Sequence, residues 1–381
     1  MSEYQYYEFL AVDRPLNDKQ IDTVRRYSTR AEITSTRFVN EYHWGDFRGD
    51  VRDFLRRFFD VFVYVANWGT RRFAFRAPAD SIDPKSVRPY QSDTGLEVHV
   101  AGEHVFFDIC SETEDDEDWD DGGGWMASLA PLREEVLCGD LRPFYLAWLA
   151  AIPANDVDED DLEPPVPAGL GDLSVAQRAL VDFIKIDEDL LAVAAQTSPA
   201  ATAKEDGLAD WIAGLPEAEK NDLLTQLCHG RNPQIGAILR RRFHASAAAS
   251  MKQEAGHARR RVSELIRATE VLAETRRQKE AREREEKRAR EEAKAAKARS
   301  AYLADLAKRQ PAVWSKVETL IASKQPRKYD EAVSLLQDLR EVAARSGNEA
   351  AFKAALVELR SRHAKKPSFV KKMAVAELNI G

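Results

Sequence analysis

The chain has 381 residues, with 56 Lys and Arg against 64 Asp and Glu for a formal net charge of −8, and 44% of its residues are apolar. That length and composition can build two or three domains with real cores and exclude wholesale disorder. The longest apolar patches, 61–66 and 144–152, are too short to cross a bilayer, and the first fifteen residues lack the basic-then-apolar pattern of a signal peptide. The expectation is a cytoplasmic protein without membrane contact. The three cysteines, Cys110, Cys138 and Cys228, are far apart and odd in number, so neither a disulfide framework nor a paired-cysteine metal motif is on offer.

The first hundred residues mix strand and helix signals. Tyr4–Val12 is aromatic and β-branched, which predicts a strand. Pro15 opens a helix carried by Ile21, Val24 and Tyr27, and Asp50 caps a second through Phe54, Leu55 and Phe58. Phe38–Tyr42, Asp60–Ala66 and Arg72–Arg76 read as strands, and 96–100 and 105–109 as a hairpin about Ala101-Gly102-Glu103-His104. Residues 111–121 hold eight acids in eleven positions and run into Gly122-Gly123-Gly124, which reads as a solvated, mobile loop. From Pro131 to Ile152 the apolar period turns helical, and one amphipathic helix packing on the sheet is expected.

Residues 153–171, acidic and then Pro-Pro-Val-Pro with two glycines, read as a linker. Short helices follow over 172–250, with Asp172 or Ser174, and then Asp187, as caps. Asn232-Pro233 starts a helical pattern that could run without a break to Pro311. Within it, Thr275–Ser300 is Arg, Lys, Glu and Ala without one large apolar side chain. Glu280/Arg284, Glu283/Lys287 and Glu286/Arg290 stand i, i+4 in the favourable order, which supports a solvated helix. No sustained heptad seam exists there, so a long stable coiled coil is not expected. Residues 311–381 return to amphipathic helices.

The fold expected is therefore an α+β amino-terminal domain with a largely antiparallel sheet, followed by a predominantly helical half. Its divisions are 1–152 (with the acidic, Gly-rich loop at 111–124), the linker 153–171, a small helical region 172–250, a long charged helix 251–310 and a helical bundle 311–381.

Charge follows that order. Residues 1–239 carry 22 Lys and Arg against 45 Asp and Glu, whereas 240–310 carry 21 against 11. An acidic front and a basic back can attract each other or face different partners.

Several segments taken together, EYQYYEFLAVDRPL at 3–16, YVANWGTRR at 64–72, PLREEVLCGDLRPFYLAWL at 131–149 and LEPPVPAGLGDLS at 162–174, resemble a family of uncharacterised bacterial proteins over most of the chain. That family has no established activity to carry over. The tail at 329–369 resembles the helical carboxyl terminus of bacterial SWIM zinc-finger proteins. Those bind zinc through Cys-x-Cys and Cys-x-His, neither of which occurs here, so the resemblance implies no zinc site.

Candidate binding residues sit in two tryptophan-glycine turns: Trp44 and Arg48 around Gly45, and Trp68, Arg71 and Arg72 around Gly69. Trp and Arg are the favoured anchors of recognition sites. If both turns lie at one edge of the sheet they make a pocket for a peptide or nucleotide; the alternative is a buried Trp that plugs the sheet end. Two basic triplets, Arg240-Arg241-Arg242 and Arg259-Arg260-Arg261, are candidates for phosphate contact. His99, His104 and Asp108 could meet across the hairpin as metal ligands. No phosphate loop, dinucleotide fingerprint or nucleophile elbow appears, so no catalytic residue or cofactor is assigned. The reading favoured is a non-catalytic interaction or scaffold protein with two binding heads separated by a charged helical strut, acting on unknown protein partners. The alternatives are a nucleic-acid-associated protein using 240–310, and an enzyme with its site in the amino-terminal domain.

Overall fold

A computed structural model describes residues 3–113, 119–154, 156–200, 207–229, 235–236, 238–240, 242–243 and 259–378. The chain divides into two compact units, Met1–Thr275 and Arg276–Gly381.

Among the described residues, unit 1 holds seven strands in one antiparallel sheet. They are β1 Gln5–Leu10, β2 Glu32–Ile33, β3 Arg37–Tyr42, β4 Val61–Ala66, β5 Thr70–Pro78, β6 Leu96–Ala101 and β7 His104–Glu112, in the order β2-β3-β1-β4-β5-β7-β6. The period of two decides what each face buries. Val61, Val63 and Val65 of β4 join Phe73, Phe75 and Phe107 in a core on one face. Phe62 joins Phe9, Phe38 and Ala74 on the other. The second face is covered by α1 (Asp18–Arg25) and α2 (Val51–Arg57), through a packed set of rings in which Phe9 lies 4.5 Å from Phe62 and 4.9 Å from Phe54. Asn17 closes a capping box on α1 with Gln20, and Asp50 caps α2.

The first face is covered by α4 (Trp125–Leu129), α5 (Pro131–Leu137), α6 (Arg142–Ala151), α7 (Val175–Phe183) and α8 (Glu188–Ala195); α3 (Pro84–Val87) is a single turn after β5. The single helix expected over 131–152 is in fact two. Gly139 takes φ +95°, Asp140 pairs with Arg142 at 2.6 Å, and Pro143 opens the new helix. Ser174, not Asp172, caps α7, and Asp187 caps α8. Residues 153–171, expected as a linker, run through the unit: Leu170 is in the core, and Tyr90 donates its hydroxyl to the Pro165 carbonyl at 2.8 Å. One core continues from the sheet through α7 and α8 to Val262 and Leu265. α9 (Leu208–Gly214) and α10 (Glu217–Cys228) contribute no buried side chain.

The helix expected without interruption from 232 is broken: residues 235–236, 238–240 and 242–243 are helical, 259–261 are not, and α11 spans Val262–Lys308, 47 residues or about 70 Å. What interrupts it at 259–261 is a clasp. Residues 259–261 are extended, and Arg261 bridges Leu162 antiparallel, with Glu163 N–H donating to Arg260 O (2.9 Å) and Val262 N–H to Asp161 O (3.0 Å). Arg260 meets both carboxylate oxygens of Glu163 at 2.8 Å and donates a third bond to Val193 O at 3.1 Å. Tyr145 adds its hydroxyl to the same carboxylate at 2.5 Å. Burial, then the adjacent Glu163 charge, pushes the Tyr145 hydroxyl far above its ordinary pKa, so it serves there as a donor.

Unit 2 is helical: the end of α11, then α12 (Gln310–Ala322), α13 (Pro326–Ser346), α14 (Glu349–Arg362) and α15 (Pro367–Val375). α11 is exposed over 274–302, as a surface of Glu, Lys and Arg requires. At Leu303 and Leu306 it enters a core with Val317, Ile321, Leu336, Leu359 and Phe369. Arg299 pairs with Asp338 (2.6 Å) and Glu341 (2.7 Å), and Tyr302 donates to Asp338 (2.8 Å). The bundle core therefore begins before residue 311.

Two outcomes follow from these contacts. Arg260→Ala, which leaves Glu163 buried without its cation, lowers the stability of unit 1 by about 3–5 kcal/mol, and Arg260→Lys by less; urea unfolding followed by circular dichroism measures it, and an unchanged midpoint for Arg260→Ala would refute the clasp. A fragment 296–381 is more stable than 311–381 by at least about 3 kcal/mol, because the shorter piece lacks two buried leucines; equal urea midpoints would show that α11 is dispensable to the bundle.

Candidate functional site

The sheet's register puts both tryptophan-glycine turns at one end. Gln5 stands opposite Tyr42 on one side and Ala66 on the other, and Thr70 stands opposite Glu112. The start of β1, the turn 43–49 after β3, the hairpin 67–69 between β4 and β5 and the chain leaving β7 thus come together.

Tyr4 lies among them. Its N–H donates to Asn67 Oδ1 (2.9 Å), its hydroxyl to Asp121 O (2.9 Å), and its ring meets His43 at 5.5 Å and Trp119 at 5.0 Å. Gly69 has to be glycine: φ is +94°, and a Cβ there would fall 1.7 Å from Thr113 O. That close approach ties the hairpin to the chain leaving β7.

The two turns do not bury their indoles. Trp44 is 69% exposed and Trp68 49%, with the Arg30 guanidinium 5.2 Å over the Trp44 ring. The buried-plug alternative for these tryptophans does not describe either. A third indole, Trp119, is 68% exposed at the same end.

The arginines separate by the pleat. Arg71 points to the face covered by α4–α8, is buried, and pairs with Asp120 at 2.7 Å. Arg72 points to the opposite face, where Asp108 takes its Nε at 2.8 Å and its Nη2 in a second short contact. Arg48 is exposed beyond the Trp44 turn. Of the five candidates, Trp44, Trp68 and Arg71 belong to the sheet end proper; Arg72 is held in an ion pair on the other face.

The glycine-rich loop supplies what the sequence reading missed. Residues 114–118 lie outside the described residues, but 119–125 are pinned rather than loose. Asp120 accepts from Arg71, from Trp125 Nε1 (2.9 Å) and from Gly122 N (2.8 Å). Gly122 takes φ +77°, and a Cβ there would sit 2.5 Å from the Tyr6 ring. Arg71, Trp119, Asp120, Asp121, Gly123 and Trp125 wall an open cavity of about 500 Å³ together with Asp182 and Lys185. The Tyr4 hydroxyl beside it is pushed up to about 12, first by burial and then by the carboxylates of Glu41, Asp121 and Asp120. The repeat of Trp on both sides of Asp-Asp-Gly-Gly-Gly at 119–125 was the available signal.

The other candidates are placed as follows. Arg259 donates to the Leu162 and Glu163 carbonyls, Arg260 pairs with Glu163, and Arg261 donates to Asp160. Arg242 pairs with Glu219 at 2.5 Å and lies over Trp211; Arg240 is hydrogen-bonded to the Cys138 thiol; Arg241 lies outside the described residues. His99 stands opposite Phe106 in the ladder, His104 opposite Ala101, and Asp108 is taken by Arg72. Among the described residues no three His, Cys, Asp or Glu side chains gather into a metal-binding group. No family model, curated protein or solved structure matches this chain.

Asp120→Ala removes one acceptor from three donors at once and leaves Arg71 buried without that carboxylate. The expected loss is about 3 kcal/mol, with a red shift of Trp emission as 119–125 come off Tyr6. Urea unfolding read by fluorescence and by circular dichroism tests both, and unchanged emission would mean the loop is held some other way.

Proposed function

We propose that the protein is an interaction protein whose amino-terminal unit binds a partner protein at the tryptophan-rich end of its sheet. The observation that carries this is the exposure of Trp44, Trp68 and Trp119 at that one end. An indole buries a large apolar area when it is covered, and clustered exposed aromatics are the usual anchors of interfaces. The scaffold beneath them is rigid where it matters: Gly69 locks against Thr113 and Asp120 fixes the loop. The helical bundle of unit 2 is a second head available to another partner, joined to the first through α11.

Phosphate binding by the basic triplets has less support. The guanidinium groups of Arg259, Arg260 and Arg261 are already engaged with residues 160–163, so contact with a nucleic acid would have to open the clasp.

Affinity capture from the host, with and without nuclease, tests the reading when wild type is compared with a Trp44→Ala/Trp68→Ala/Trp119→Ala variant of unchanged circular dichroism. Stoichiometric, nuclease-resistant proteins held by wild type and lost by the variant are the expected result. Equal retention by both, or loss of everything on nuclease treatment, would overturn it.

A further inference from the structure

β6 stands at one end of the strand order, so one of its edges has no neighbouring strand. The strand at the other end, β2, is two residues long and offers little to pair with. β6 runs for six residues, Leu-Glu-Val-His-Val-Ala, and its register with β7 is regular. Proline, lysine and bulges, which blunt many natural edges, are missing from it.

The free part of that edge can be located. Cys110 N–H donates to Gly95 O at 3.0 Å, and hydrogen-bonding direction alternates along a strand. Glu97, His99 and Ala101 therefore turn their backbone groups to β7, while Leu96, Val98 and Val100 turn theirs outward. The Leu96 carbonyl accepts from Ser92 N–H at 3.3 Å. Among the described residues nothing bonds to the outward groups of Val98 and Val100. Their side chains share a face with Leu96: Val98 is half-buried against the core, and Val100 is 51% exposed. The opposite face carries Glu97 and His99, both exposed, and Glu97 also pairs with Arg52.

We infer that this edge pairs with the same edge of a second copy of the chain, antiparallel about a twofold axis at His99. Such an axis sets Val98 opposite Val100 of the second copy, and Val100 opposite its Val98. Each free N–H then meets a free C=O, and the valines cover one another in continuation of the core face. Axes at the neighbouring valines fit less well. One at Val98 sets Val100 against Leu96, whose carbonyl Ser92 already holds; one at Val100 sets Val98 against Gly102 in the turn, where φ is +62°. On the other face Glu97 becomes the diagonal neighbour of the second copy's His99, within reach of an imidazole N–H. A foreign strand has the same backbone groups, but the matching of Val with Val and Glu with His is supplied in full by this chain alone. Four strands separate β6 from β3, so the dimer leaves the Trp44 turn open and the inference does not rest on the recognition reading.

The test is sedimentation velocity of the full chain at up to about 100 µM, a range suited to a small contact. A reversible monomer–dimer equilibrium is expected. Val100→Pro removes an outward amide at an edge position that tolerates proline, and His99→Glu sets two carboxylates face to face. Each weakens the dimer by at least about tenfold with unchanged circular dichroism, whereas Trp44→Ala/Trp68→Ala/Trp119→Ala leaves it intact. In a Cys228→Ser background, His99→Cys crosslinks to its counterpart under mild oxidation, because facing positions of a non-hydrogen-bonded pair suit a disulfide. Glu97→Cys, which would stand opposite Ala101, does not. A monomer throughout that range, a dimer that withstands Val100→Pro and His99→Glu, or crosslinking no faster at position 99 than at 97 would overturn the inference. So would a monomer that captures from the host a protein lost with Val100→Pro, which would identify a foreign strand as the occupant.

Discussion

Glu163 is 2% exposed, and a carboxylate buried that far is costly unless a cation and further hydrogen bonds meet it. Arg260 supplies a two-pronged contact, Tyr145 a third bond, and the neighbouring backbone closes a short antiparallel bridge around them. Much of unit 1 depends on this arrangement. It brings residues 159–163 and 259–263 side by side, and it sets the point at which α11 begins. Because Arg260 also holds the Val193 carbonyl near the end of α8, the same side chain ties the helical layer to the origin of the charged helix. The bridge acts through geometry: Arg259 and Arg261 bond mostly to backbone oxygens, which fixes the register of the two segments.

The same pairing changes what the charge pattern means. By composition, 240–310 is a basic tract facing an acidic front, and such a tract ordinarily reads as a phosphate-binding surface. Part of that attraction is consumed inside unit 1, where the acids of 159–163 and the arginines of 259–261 neutralise one another. Along the exposed part of α11 the bases are interleaved with Glu, as in Glu280 with Arg284 at 3.8 Å and Arg288 with Glu292 at 3.4 Å. Exposed pairs of that kind add little stability, but they blunt the local positive field.

The longer strands, the largely antiparallel sheet and the caps of α2 and α8 were legible in the sequence, because alternation and capping are local signals; the two-residue β2 and the Asn17 cap of α1 were not read. Failures came where a distant contact overrode a local pattern. Helical propensity around 259–261 gave no hint that these arginines are pulled into an extended bridge by residues nearly a hundred positions earlier. The helix expected over 131–152 breaks at Gly139, whose positive φ depends on packing that sequence cannot show. For the site, the two tryptophan-glycine turns were visible and do share one sheet end. Tyr4, Asp120 and Trp125 were not, since each gains its role from partners on other strands or loops. Arg71 and Arg72 show the limit well: adjacent in sequence, they were grouped together, and the pleat sends them to opposite faces.

A composition-based reading takes eight acids in eleven residues, followed by three glycines, as solvated chain. Charge repulsion argues for that, but glycine also permits the closest approach of backbone to a ring. Gly122 uses this freedom to lie on Tyr6, and once it does, Asp120 is carried to Arg71 and Trp125. The loop is therefore held by a few fixed points while the indole of Trp119 stays in water. A surface built this way keeps the conformational cost of binding low, since the anchor residues are positioned before a partner arrives. Exposed apolar area at a rigid site is the combination that recognition requires, and in unit 1 it occurs where three strand connections meet.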